Sequence, residues 1–245
     1  MMRRIFAAAA PALLFCLAAG CGNLPGRPTA QSIPIDPDNI TDFATLYQQN
    51  CSGCHGPEGK GGAAITLADP VYLAIADEAA MRKVVINGIN GTCMAAFAKS
   101  AGGMLADKQV DIIVRGLRER YSRPDVLAGV SVPAYTATEP GDATRGAAAY
   151  QAFCASCHGP DGKGGSKASS IVDGSFLALL TDQELRTLVI VGRPDLGAPD
   201  WRNNVPDKPM SSQNISDVVA WLAAQRPQFA GSPYPETGKP AGEHP

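Results

Sequence analysis

The segment CSGCHGPEGKGG, at residues 51–62, occurs again at residues 154–165 as CASCHGPDGKGG. Nine of the twelve positions are identical, and the two copies begin 103 residues apart. Each copy contains the pattern Cys-x-x-Cys-His, followed by a glycine-rich stretch. The repeat therefore predicts two related domains in this chain of 245 residues, each built around the same kind of site.

The pattern Cys-x-x-Cys-His is the attachment signature of a c-type haem. Two thiols add to the vinyl groups of the haem, and the adjacent imidazole, His55 or His158, is then placed on the iron. A zinc site would need further Cys or His residues nearby, and a thioredoxin-like site would need a βαβ context. Neither surrounds these copies, so the sequence predicts two covalently bound haems c. The predicted thiol ligands are Cys51, Cys54, Cys154 and Cys157.

Residues 1–20 have the layout of an export signal, with a basic start and an apolar run that is too short to span a membrane as a helix. The run ends in LAAGC at residues 17–21, which resembles a bacterial lipoprotein signal. We therefore expect Cys21 to carry a lipid and to anchor the protein on the periplasmic side of a membrane. The alternative is ordinary cleavage by signal peptidase, with Cys21 incidental.

The charge of the chain bears on the class of partner that it can bind. Loss of Arg3 and Arg4 with the signal would move the formal charge from −2 to −4, and no basic run indicates nucleic acid. We expect redox partner proteins instead.

Apart from Cys16 in the signal, only Cys93 has no assigned role, so no pair of cysteines is left for a disulfide. We expect Cys93 to be a small buried residue, and the alternative is a thiolate that competes for iron.

Proline and glycine punctuate the chain between two stretches with helical periodicity. The pattern predicts six segments: a signal at 1–20, a lipid-anchored tether at 21–40, a first domain at 41–121, a linker at 122–141, a second domain at 142–230, and a disordered tail at 231–245.

Both predicted domains follow the same helical order. A first helix leads into the haem motif, and a loop, a middle helix, a ligand loop and a terminal helix follow. The middle helices are predicted at 78–87 and 182–191, each ending at a glycine that can adopt the left-handed conformation. The terminal helices are predicted at 106–121 and 211–225. No alternation typical of strands appears, so the predicted fold class is all-α.

Residues 41–121 and 142–226 both resemble the small monohaem cytochrome c fold, in which the first and last helices cross beside the haem. The whole chain thus resembles a dihaem cytochrome c with tandem domains. Gly146 stands where that family often has a glycine at the helix crossing. The equivalent position in the first domain is Phe43, so we expect that crossing to be wider or differently packed.

The sixth ligand of each iron has few candidates, because the chain contains only His55, His158 and His244. His55 and His158 belong to the motifs and His244 lies in the polar tail, so we do not expect ligation by two histidines, and Met is the usual alternative. In the first domain, Met94 lies in GTCMAAF, which resembles the Met-Pro-x-Phe ligand loop of cytochromes c with Ala in place of Pro. Met94 is therefore the predicted ligand of haem 1. Met104 is an alternative, and Met81 is assigned to the core.

The second domain differs at this point. Aligning the terminal helices, with one extra residue allowed in the second loop, places Ala198 opposite Met94 and Trp201 opposite Phe97. Met210, the one Met in this half, falls opposite Leu105. Three possibilities remain for the sixth site of haem 2: Met210, another group, or water or a vacancy. The other candidate groups are Lys208, Asn203 and Asn204.

These features favour an electron-transfer protein over an enzyme. Two haems on tandem domains are expected to relay single electrons between respiratory partners, and the protein supplies ligation and electrostatics around the iron. One alternative is a haem enzyme or small-molecule-binding protein that uses an open sixth site at haem 2. Another is a fixed cytochrome subunit of a larger oxidoreductase complex.

Overall fold

The computed structural model describes residue 32 and residues 34–227. The predicted signal, Cys21, His244 and the tail at 231–245 therefore lie outside the described residues. The chain divides into two compact units, Met1–Ile40 and Thr41–Pro245. The first unit includes a 3₁₀ helix, Pro37–Asn39, and the second contains both haem motifs.

The first domain contains five helices. They are α1 (Phe43–Asn50), α2 (Ser52–His55), α3 (Pro70–Ile75), α4 (Glu78–Asn87) and α5 (Asp107–Tyr121). Helix α5 packs against α1, α3 and α4, so it forms the centre of the domain. Its inward face is apolar at a helical spacing, and burial of these side chains drives the packing. The fully buried members are Val110, Ile113, Val114 and Leu117.

The second domain repeats this order. Its helices are α6 (Ala143–Phe153), α7 (Ala155–His158), α8 (Gly174–Ala178), α9 (Asp182–Val191) and α10 (Ser212–Ala223). Helix α10 packs against α6 and α9, and its buried apolar face includes Ile215, Val218 and Leu222. The prediction of an all-α fold with tandem domains is confirmed, because only isolated β-bridges occur among residues 34–227. No helix in the described part of the chain is long and apolar enough to cross a membrane.

The two middle helices have the bounds that the sequence predicts. Both end at a glycine with positive φ, but ψ is −166° at Gly88 and −161° at Gly192, so neither is in the predicted left-handed helical conformation. This region of φ and ψ is accessible almost only to glycine. A side chain would also meet the loop that follows, because a Cβ would lie 2.5 Å from the oxygen of Met94 or 2.2 Å from that of Pro199. Each glycine thus lets the ligand loop fold back on its helix.

Two short helices, α3 and α8, occur where the sequence predicts a loop. Each begins after an aspartate whose carboxylate accepts hydrogen bonds from the first turn: Asp69 from Val71 N and Tyr72 N, and Asp173 from Ser175 N and Phe176 N. Helices of five or six residues are too short to give a periodic pattern, which explains why the sequence does not reveal them.

The crossing of the first and last helices uses glycine on opposite partners in the two domains. In the second domain Gly146 of α6 lies against α10, where a Cβ would come within 2.0 Å of the oxygen of Asp217. In the first domain the small residue is Gly116 of α5, where a Cβ would come within 2.1 Å of the Phe43 ring. The expectation that the first crossing is differently packed is therefore correct, and the exchange of glycine between helices is the reason.

The segment at 122–141 contains no helix and is attached to the second domain. The buried guanidinium of Arg186 donates to the oxygens of Ala134 (3.1 Å from Nε, 2.9 Å from Nη2) and Tyr135 (3.2 Å). The side-chain amide of Gln213 donates to the oxygen of Pro140 at 3.1 Å. These bonds satisfy carbonyl groups of an irregular segment and fix its path over the second domain.

Candidate haem centres

The two motif histidines have the same orienting contact. The Nδ1 atom of His55 lies 2.8 Å from the oxygen of Ile65, and the Nδ1 atom of His158 lies 2.8 Å from the oxygen of Ser169. A carbonyl oxygen only accepts hydrogen bonds, so Nδ1 carries the proton and Nε2 keeps its lone pair. Such a second contact fixes the tautomer and ring orientation of metal-binding histidines. Both side chains are therefore suited to bind iron through Nε2.

The motif cysteines lie at the junction of two helices in each domain. The first thiol of each pair follows α1 or α6 and the second lies in α2 or α7. None of these four cysteines is in a disulfide: Cys51, Cys54, Cys154 and Cys157. Burial, and then the neighbouring Cys, raises the pKa of Cys51 to about 12 and that of Cys154 to about 11. Two thiols beside an oriented imidazole fit the covalent attachment of a haem in each domain.

A tyrosine fixes the turn after each motif. The hydroxyl of Tyr47 donates to the oxygen of Gly56 at 2.9 Å, and the hydroxyl of Tyr150 donates to the oxygen of Gly159. Both tyrosines stand four residues before the first motif cysteine, so the repeat extends into the preceding helix. Burial raises the pKa of Tyr47, which keeps its hydroxyl protonated and able to donate.

In the first domain the three methionines have different surroundings. Met81 is buried in the core, where Arg118 donates to its sulfur at 3.9 Å, whereas Met104 is 75% exposed. Met94 is half-buried in the loop after α4, and its oxygen accepts from the nitrogen of Ile89 at 2.8 Å. The assignment of Met94 to haem 1 stays a prediction. The neighbouring Cys93 is exposed, so the expectation of a small buried residue is wrong.

Ala198 has the same backbone position in the second domain as Met94 in the first. Its oxygen accepts from the nitrogen of Arg193 at 3.0 Å, just as that of Met94 accepts from Ile89. Arg193 and Ile89 each directly follow the glycine that ends the middle helix. The ligand loop is therefore conserved in shape between the domains while its methionine is replaced by alanine.

Met210 has the backbone position of Leu105. The nitrogen of Met210 donates to the oxygen of Trp201 at 3.0 Å, and that of Leu105 donates to the oxygen of Phe97 at 2.7 Å. The Met210 side chain is 2% exposed and its sulfur accepts from Asn204 Nδ2 at 3.5 Å. The assignment of Met210 to the iron of haem 2 stays a prediction, and this position supports a packing role.

The other candidate ligands of haem 2 have partners of their own. The amide of Asn203 donates to Asp200 at 3.1 Å. The Lys208 ammonium lies 5.4 Å from the centre of the Phe153 ring, and Phe153 directly precedes the second haem motif. These contacts are those of an ordinary polar loop.

Comparison with known families decides the identity of the fold. A family model described as "Cytochrome C oxidase, cbb3-type, subunit III" matches residues 38–115 and again residues 141–222, which together exceed half of the chain. The chain belongs to this family. A solved chain titled "Kuenenia stuttgartiensis reducing HAO-like protein complex Kustc0457/Kustc0458" shares 14% identity over 84% of this chain and 100% of its own length, with a TM-score of 0.45.

The cytochrome c domains imply covalently bound haem c and haem-based electron transfer. In such a domain the protein contributes the axial ligands, the burial of the haem and the charges around it. The two cytochrome c domains of this chain supply matching histidines and thiols but unlike groups at the position of Met94.

The two cytochrome c domains also meet at a polar contact that the sequence does not reveal. Arg193 and Asp195 form an ion pair in the ligand loop of the second domain, with both contacts at 2.9 Å. Asp195 accepts from the nitrogen of Gly61 at 2.9 Å, and Arg193 donates to the oxygen of Gly62 at 2.7 Å. Gly61 and Gly62 belong to the turn after the first haem motif. The R-x-D sequence at 193–195 is the one available signal, and it does not identify a partner 131 residues away.

Proposed function

We propose that this protein carries two haems c, one in each domain, and relays single electrons between respiratory partner proteins. The observation that carries the proposal is the repeated centre, in which a pair of cysteines outside any disulfide precedes a histidine held at Nδ1 by a backbone carbonyl. Membership of a cytochrome c oxidase subunit family supports the same role. In this proposal the haems carry the electrons, and no protein side chain is oxidised or reduced.

The proposed axial ligands are His55 and Met94 for haem 1 and His158 for haem 2. A thioether ligand raises the reduction potential of a haem. The second domain has Ala198 in the position of Met94, so the two haems are proposed to differ in potential. The direction of electron flow between the two haems is then proposed to follow from this difference.

We propose that the protein is exported and acts on the periplasmic side of a membrane. The support lies in the sequence of residues 1–20, in the position of Cys21 as a site for a lipid, and in the cytochrome c domains themselves. The predicted tether at 21–40 would let the haem domains reach partners away from the membrane surface. Membership of an oxidase subunit family also supports the alternative that the chain is a fixed subunit of a larger complex.

A second candidate function is the binding of a small molecule at haem 2. It is favoured by the replacement of the ligand-loop methionine by Ala198 and by the packing position of Met210. An iron with an exchangeable sixth position binds carbon monoxide in the reduced state, whereas an iron with two protein ligands resists it. Carbon monoxide therefore tests whether the sixth position of haem 2 is open, and sustained turnover of peroxide separates the second candidate from the first.

The test is to purify the holoprotein, record its electron paramagnetic resonance spectrum in the oxidised state, and then add carbon monoxide to the reduced protein while recording optical spectra. The proposal predicts carbon monoxide binding at haem 2 alone, rapid one-electron exchange with soluble mediators, and no sustained consumption of peroxide. Sustained peroxide turnover would make the protein an enzyme. Carbon monoxide binding at both haems of the wild-type protein would contradict the proposed Met94 ligation.

A further inference from the structure

The Arg193–Asp195 pair joins the two haem domains at a specific place. Both side chains are largely buried, at 15% and 9% exposure, and each also forms a hydrogen bond with the backbone of the first domain. The hydrogen bond from Arg193 holds the pKa of Asp195 well below its usual range, so the carboxylate is charged throughout the neutral range. The contact therefore consists of two opposite charges held at fixed positions.

This contact lies against the centre of haem 1. Gly62 packs so closely on the haem motif that a Cβ there would lie 2.2 Å from the oxygen of Cys54 and 2.6 Å from the carbonyl carbon of His55. The Arg193 guanidinium donates to the oxygen of this same glycine. The guanidinium therefore bonds to the residue that packs directly on the backbone of the motif at His55.

The same arginine is part of the ligand loop of haem 2. Its backbone pairs with Ala198 in both directions, with nitrogen–oxygen distances of 3.0 Å and 2.9 Å. Ala198 has the position that Met94 has in the first domain. Arg193 therefore connects two sites. Its backbone belongs to the loop where the sixth ligand of haem 2 is expected, and its side chain bonds to the turn beside His55.

We propose that Arg193 and Asp195 are positioning residues that set the reduction potential of haem 1 and fix the ligand loop of haem 2 against it. The inference rests on the proposed function, because it requires a haem at His55. Oxidised iron carries one more positive charge than reduced iron. A nearby cation therefore favours the reduced state and raises the potential, while a nearby anion lowers it. The pair gives opposite contributions from two adjacent side chains.

Because the two side chains carry opposite charges, removing each one in turn distinguishes an electrostatic role from a purely structural one. Arg193→Gln removes the cation and is expected to shift the midpoint potential of haem 1 to a lower value. Asp195→Asn removes the anion, keeps an oxygen that can accept from Gly61, and is expected to shift that potential to a higher value. Loosening of the domain contact alone would move both variants in the same direction. The measurement is an optical redox titration of the full-length holoprotein.

Two further variants complete the design. Arg193→Lys keeps the charge and should keep the potential close to that of the wild type. Arg202 is the matched control, because it forms a similar pair with Asp200 in the same loop but donates to the oxygen of Val126 at 2.9 Å instead of to the turn after the first haem motif. Arg202→Gln should leave the potential of haem 1 unchanged. The potential that belongs to haem 1 is identified as the one that Met94→Leu alters.

The inference is overturned if Arg193→Gln and Asp195→Asn shift the haem 1 potential in the same direction, or if neither shifts it. An equal shift in Arg202→Gln would also overturn it. Should Arg193→Gln not fold, the inference requires that Asp195→Asn raises the haem 1 potential while Arg193→Lys leaves it close to that of the wild type, and any other outcome overturns it. The proposed function fails separately, if the purified wild-type protein lacks two haems or exchanges no electrons with mediators.

Discussion

Replacement of Gly146 by alanine should destabilise the second domain by about 2 kcal/mol. The added Cβ would lie 2.0 Å from the oxygen of Asp217, whereas ordinary contact begins at 3.4 Å, so α6 and α10 would have to separate by roughly 1.4 Å. Overpacking of this kind costs up to about 3 kcal/mol, and the obstacle is backbone that cannot rotate away. The higher helix propensity of alanine offsets about 1 kcal/mol.

The assay is denaturant unfolding of the holoprotein, followed by tryptophan fluorescence. Both tryptophans of the chain, Trp201 and Trp221, lie in the second domain, so the signal reports on that domain alone. The free energy of unfolding of Gly146→Ala should fall by the stated amount. Equal or greater stability than the wild type would refute the packing argument.

Two controls separate the backbone obstacle from the neighbouring side chain. Trp221→Ala keeps its Cβ and leaves the Asp217 oxygen in place, so it should not rescue Gly146→Ala, and the double-mutant coupling energy should be close to zero. For Gly116→Ala in the first domain, the three atoms nearest to the added Cβ all belong to the Phe43 ring, which can rotate. Its effect on stability, measured by circular dichroism, should stay within about 1 kcal/mol.

Three other predictions concern the haem centres and the helix crossing. Met94→Leu should make haem 1 bind carbon monoxide when reduced, and an unchanged haem 1 spectrum would exclude Met94 as a ligand. Met210→Leu should leave the haem 2 spectrum unchanged and cost less than about 1.5 kcal/mol, because Met210 has the packing position of Leu105; a changed spectrum would identify it as the ligand. Asp217→Asn should cost about 1.5–3 kcal/mol, since the buried carboxylate accepts two hydrogen bonds from Arg145. Hydrogen bonds from Arg145 lower the pKa of Asp217 in the folded protein. The contribution of this carboxylate to folding stability is therefore present above pH about 4, the unfolded pKa, and is lost as the pH falls through the lower folded pKa. Acid unfolding of Asp217→Asn should lack this component.

Local signals in the sequence predict the helices and the haem motifs well. Asp42 and Asp142 accept hydrogen bonds from the third residue of their helices, as expected of N-caps, and α4 and α9 have their predicted bounds. These features depend on residues a few positions apart. For the same reason the alignment of Ala198 with Met94 agrees with the backbone hydrogen bonds of the two loops.

Contacts between distant residues could not be predicted in this way. The sequence indicates an unusual crossing at Phe43, but only the structure identifies Gly116 as its partner, because a glycine inside a helix has several possible reasons. The hydrogen bonds of Arg193 and Asp195 to the first domain join residues more than 130 positions apart. No local pattern specifies such a pairing, since it depends on how the two domains pack.

The central claim is that the chain holds two covalent haems, one at each Cys-x-x-Cys-His motif. The most direct measurement is the intact mass of the exported protein under denaturing conditions, where only covalently bound haem remains. The account predicts a mass increase of two haems in the wild type. It predicts one haem when both Cys51 and Cys54 are replaced by alanine, and likewise one haem when Cys154 and Cys157 are replaced. A wild-type protein with one haem or none would contradict it.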